Sequence, residues 1–124
     1  MDHGYITVAV RTAGGALPVR DAVVTVKDAE GRIIYVVFTD GSGLTPKLKL
    51  GAPPKENSEE PNAGGVPFYT YEIDTDKSGY RSVRNLRVPI YPGITSLQPV
   101  ELLPLAEGVT NAPATFEEVT APDL

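Results

Sequence analysis

The feature that most constrains this chain is a period-two alternation of apolar and polar residues, broken every eight to twelve residues by Gly, Pro and Asp. Ile6, Val8 and Val10 alternate within Tyr5–Val10, and Ala22–Lys27 (AVVTVK) and Phe68–Thr75 (FYTYEIDT) follow the same rule. A strand buries one face by this spacing; a helix would need apolar residues three and four apart. No segment offers that helical spacing with a cap. The expected fold is therefore all-β: a seven-stranded, two-layer β-sandwich, without significant helix and with an extended C-terminal tail.

The strands expected are Tyr5–Val10, Ala22–Lys27, Arg32–Thr39, Leu44–Leu50, Phe68–Thr75, Tyr80–Ile90 and Ser96–Leu103. Arg32–Thr39 (RIIYVVFT) is apolar on both faces, which argues for a central position, with one face on the core and the other under a loop or a partner. In Leu44–Leu50, the residues Leu44, Pro46, Leu48 and Leu50 fall on one face. Pro46 lacks an amide hydrogen, so this strand is placed at an edge. Gly51–Pro67 reads as a long exposed loop. The division is residues 1–105 for the sandwich and 106–124 for an acidic, Pro-containing tail. Within the tail, Ala114–Val119 is a candidate short strand.

Composition narrows the chemistry. With no Cys and one His, the chain has no disulfide, no thiolate nucleophile and no His-based triad, so it is expected not to be an enzyme. No cofactor is expected. Sixteen acids against eleven bases disfavour nucleic acid, and no apolar run is long enough for membrane insertion. The start, Met-Asp-His-Gly, carries no signal-peptide pattern, so synthesis in the cytoplasm is expected. The charge is uneven: Lys77–Val100 holds four bases and no acid, and Leu105–Leu124 four acids and no base.

Two stretches echo each other, Thr39-Asp40-Gly41-Ser42-Gly43-Leu44 and Thr75-Asp76-Lys77-Ser78-Gly79-Tyr80. Paired turns explain them, with Asp bonding back to the main chain and Gly taking positive φ. Together with the strands LPVRDAVVTV and GYRSVRNLRVPIYPGITSLQPV, they resemble the carboxypeptidase regulatory-like domain, a transthyretin-like sandwich. The resemblance covers residues 4 to 105. It is closest to the Firmicutes form that is often attached to peptidoglycan-binding or spore-cortex-lytic proteins. It implies a seven-stranded Greek-key β-sandwich, transthyretin-like or immunoglobulin-like, and a non-catalytic structural, adhesive or positioning role in a cell envelope or spore layer. No hydrolase or peptidoglycan-binding segment accompanies it here, so the module is expected to act through what it binds, copies of itself included.

Asp74, Asp76 and Ser78 open a calcium-loop pattern, but position twelve is Asn85 rather than a bidentate Glu, and a plain turn is the stronger reading. Lys27 and Lys49 are candidates for an intramolecular isopeptide bond only if buried; exposed strand lysines are the simpler expectation. Tyr71 is expected in the core, while Tyr80 and Tyr91 stay open between core and interaction surface. Arg81, Arg84 and Arg87 form a basic stretch whose faces alternate unless a bulge intervenes. Phe116 and Val119 are the candidates for docking the tail, in cis or on a neighbouring copy, against that basic strand. Passed between copies in one direction, such a contact builds a filament. Two functions follow: a self-associating structural module, or an accessory module that positions a separate hydrolase on peptidoglycan or another envelope polymer.

Overall fold

The computed structural model describes residues 2–54 and 67–105, and the main chain of 115–118. Among these there is no helix. Nine strands form two sheets: β1 (Asp2–Thr12), β2 (Leu17–Pro18), β3 (Val23–Lys27), β4 (Ile33–Phe38), β5 (Leu48–Ala52), β6 (Tyr69–Asp76), β7 (Val83–Ile90), β8 (Thr95–Glu101) and β9 (Thr115–Glu118). β2 is a two-residue pairing that the seven-strand expectation did not include.

In the first sheet β1 is central. β5 pairs antiparallel with its N-terminal half and β2 with its end, while β8 runs parallel to it from Tyr5 opposite Thr95 to Arg11 opposite Glu101. The second sheet has the order β4-β3-β6-β7-β9. All its neighbours are antiparallel except β7 and β9, which are parallel.

The alternation read from the sequence becomes the core. Ile6, Val8 and Val10 of β1 face Val24 and Val26 of β3 and Ile73 of β6, all fully buried. Two tyrosines tie the sheets together: Tyr71 donates its hydroxyl to the Gly51 carbonyl and Tyr35 to that of Lys49, each at 2.8 Å. Both carbonyls belong to β5, so side chains of the second sheet satisfy main-chain acceptors of the first.

Three expectations are corrected. β4 is an edge strand, not a central one, because β6 returns after the long loop and takes the place beside β3. Leu44–Pro46 lie outside β5, and Thr45 rather than Pro46 is the buried residue. Its hydroxyl accepts from the Val8 amide at 2.9 Å, which turns the chain inward one residue out of phase. Leu86 also leaves the core. Opposite Tyr71 and Ile73, β7 spends one extra residue in a bulge, and Arg87 there takes φ 56°. Val83 and Asn85 face inward before the bulge, Val88 and Ile90 after it.

Candidate functional site

The motif that carries the sequence resemblance is consumed in holding the fold. Buried Thr39 donates its hydroxyl to the Val19 carbonyl at 2.6 Å and accepts from the Ala22 amide at 2.9 Å. Asp40 Oδ1 accepts the Ser42 and Leu44 amides at 2.8 and 3.1 Å, closing the turn. Gly43 sits at φ +77°, and a Cβ there would lie 2.4 Å from the Val10 carbonyl oxygen, so this turn presses directly onto β1. In the echo, Gly79 is at φ +88°, and Asp76 accepts from the Ser82 hydroxyl rather than from its own turn. The two turns share a glycine role but not an aspartate role.

The calcium-pattern residues are drawn to other partners. Asp74 meets Lys27 Nζ at 2.9 Å and Arg84 Nε at 3.4 Å on the outer face of the second sheet, and Glu72 lies 3.7 and 3.5 Å from the same two cations. Among the described residues no three His, Cys, Asp or Glu side chains group to hold a metal ion. Ser78 lies in the turn before Tyr80. The Lys27 ammonium is held protonated above its ordinary range, first by its hydrogen bond and charge contact with Asp74. Its outward, water-reached position makes it half of an ion pair rather than a nucleophile. Burial beside Asp74 pushes the Glu72 carboxyl up. Lys49 is exposed.

The tyrosines divide. Tyr71 is in the core. Tyr80 is half-buried and packs against it. The possibility of a surface aromatic at Tyr91 gives way to a packed one: Tyr91 is buried, its ring 5.4 Å from that of Phe68. Burial raises the pKa of both Tyr71 and Tyr91. Phe68, Tyr69 and Tyr71 line a groove of about 420 Å³ with Asp28, Glu30 and Arg32. There the Asp28 carboxylate is engaged by the Arg32 guanidinium at 2.8 Å, and neither a His nor a Cys stands beside a hydroxyl.

The basic stretch does not make one patch. Arg81 lies before β7 and gives its main-chain amide to the Leu103 carbonyl. Arg84 leans over Glu72 and Asp74, and Arg87 is exposed at the bulge. The tail strand lies beside this segment all the same, with Phe116 opposite Arg84, and Glu117 and Glu118 opposite Asn85 and Leu86. Val119 and the side chain of Phe116 lie outside the described residues.

The surface that stands out most is on β4, which exposes Ile33 (62%), Val36 (55%) and Phe38 (59%) on the outer face of an edge strand. The sequence marks it as a second apolar face, expected under a loop or a partner, but on a central strand; among the described residues that face is open.

No family model and no curated protein matches the chain. Similarity appears among solved structures. The chain superposes on GBS52, the minor pilin of the Gram-positive pathogen Streptococcus agalactiae, with TM-score 0.57 and 14% identity, over 90% of this chain and 48% of that one. It superposes on the Bacillus anthracis TIE protein with TM-score 0.53 and 14% identity, over 82% of this chain and 16% of that one. It also superposes on 3-chlorocatechol 1,2-dioxygenase of Rhodococcus opacus with TM-score 0.55 and 16% identity, over 84% and 60%. The chain spans less than two thirds of each of these proteins. At such identities the likeness is one of fold alone, a two-sheet β-sandwich.

Proposed function

We propose that this chain is a non-catalytic structural and adhesive module of the carboxypeptidase regulatory-like type. It works in a Gram-positive cell envelope or spore layer by association with copies of itself. The observation that carries the reading is the use of the C-terminal segment as a strand. Thr115–Glu118 extends the second sheet by main-chain pairing to β7. A module that completes its own sheet with a terminal strand already has the chemistry by which one copy joins another: main-chain bonds for affinity and alternate side chains for register. The fold likeness to a minor pilin and to the TIE protein supports a structural role. The commitment of Lys27, Glu72, Asp74 and Arg84 to one another, and of Thr39, Asp40 and Thr45 to the fold, supports a role without turnover.

Size-exclusion chromatography with light scattering, together with negative-stain microscopy of the full chain, tests the reading. Oligomers that grow with concentration are expected. A monomer at every concentration contradicts it.

A further inference from the structure

The second sheet ends in two unlike edges. β9 lies along β7 at one end; at the other, among the described residues, no strand pairs with the outer side of β4. Edge strands that stay single are usually blunted by proline, lysine or extreme shortness, because free main-chain groups recruit other strands. The outer strands of the first sheet are blunted in this way, β8 by Pro99 and β5 by Lys49, with Pro46 and Lys47 just ahead of it. β4 has no such device. Its six residues are Ile33, Ile34, Tyr35, Val36, Val37 and Phe38.

Its free edge is also correctly directed for pairing. Thr39 gives its amide to the Ala22 carbonyl at 3.0 Å and receives the Asp21 amide at 3.1 Å, so its main-chain groups face β3. Alternation then turns Val37, opposite Val24, the same way and leaves the N–H and C=O groups of Val36 and Phe38 facing the open edge. The side chains of Ile33, Val36 and Phe38 continue across the outer face to Val23, which pairs with Phe38.

We propose that β4 is the surface through which two copies of this chain associate, pairing antiparallel about a two-fold axis at Val36. The proposal rests on the self-associating reading above and names its interface. The occupant follows from charge. The apolar strand is bounded by Arg32, whose side chain is 75% exposed while its guanidinium holds Asp28 at 2.8 Å and lies 3.6 Å from Glu30, and by Asp40, whose Oδ1 alone is used by its turn. An antiparallel copy centred on Val36 sets Arg32 of each chain opposite Asp40 of the other. It sets Val36 opposite Val36 and brings Phe38 to the Ile33–Ile34 bulge, apolar against apolar on both sides of the axis. The contact is isologous, so it closes at two copies and joins two five-stranded sheets into one.

The test is sedimentation equilibrium of the full-length chain beside Val36→Lys and Val36→Thr. Both substitutions fall on an exposed position, and thermal melts check that both variants fold. At the two-fold axis a single Val36→Lys sets two ammonium groups face to face. The wild type is expected to form a concentration-dependent dimer, Val36→Lys to weaken it by about tenfold or more, and Val36→Thr, which keeps the branched β-former, to retain it. A dimer that Val36→Lys leaves intact overturns the β4 interface while self-association stands. A wild type that is monomeric throughout overturns both. Open-ended aggregation in place of a dimer overturns the two-fold pairing. Amide exchange of the wild type supplies a readout that needs no variant: protection at Val36 and Phe38 that rises with concentration supports the proposal, and its absence contradicts it.

Discussion

The two ends of the second sheet are built from similar material and treated in opposite ways. β7 brings Arg84, a bulge and Arg87, and the chain lays its own acidic tail strand beside it. β4 brings six uncharged residues and is left open. The strands between them, β3 and β6, bury the same core from the same face, so the difference lies in what covers each edge and not in what supports it. One edge is finished within the molecule. The other is the edge proposed to pair with a second molecule.

Removing residues 106–124 tests the comparison most severely. The account expects β7 to become a second bare edge, so that light scattering finds species larger than those of the full chain; an unchanged mass would mean that β9 covers nothing that matters. A cut into the shared core should weaken both edges together. Ile73→Ala is expected to lower global stability by about 3 kcal/mol in urea unfolding followed by circular dichroism, with no selective change in association of the folded fraction. Hydrogen bonds between the sheets separate the interior from the edge. Tyr71→Phe is expected to cost about 1 kcal/mol, since it removes a part-buried hydrogen bond to the Gly51 carbonyl, and Tyr35→Phe on β4 about 0.5 kcal/mol, since water reaches the Lys49 carbonyl.

The smallest effect is the pH dependence. Burial raises the pKa of Tyr71, reinforced by the nearby Asp28 charge, and burial alone raises that of Tyr91. The folded state therefore favours the protonated phenols. Their contribution to stability is complete below the unfolded value of about 10 and is lost as pH rises through the higher folded values. Thermal melts should hold steady through neutral pH and fall above pH about 10, with a smaller fall in Tyr71→Phe.

Much of the fold was legible because period two is a local property. Ile6, Val8, Val10, Val24 and Val26 declare their face within a few residues. Strand order is not local. Nothing between Arg32 and Thr39 says that β6, arriving after a long loop, will take the central place, so β4's two apolar faces read as a central strand with one face on the core and the other under a loop or a partner. The β7 bulge was equally hidden, because Leu86, Val88 and Ile90 alternate perfectly in sequence and only the pairing with Tyr71 and Ile73 reveals the extra residue. For the candidate site, the tail strand was visible as an apolar residue among acids near a basic segment, whereas Tyr91 could be placed only by seeing Phe68 packed against it.

Amide hydrogen exchange of the full chain at rising concentration tests the unequal edges most directly. The account predicts that the amides of Thr115–Glu118 that face β7 are protected at every concentration, while those of Val36 and Phe38 exchange freely when dilute and slow as copies pair. Val36 and Phe38 exchanging equally fast at all concentrations would contradict it.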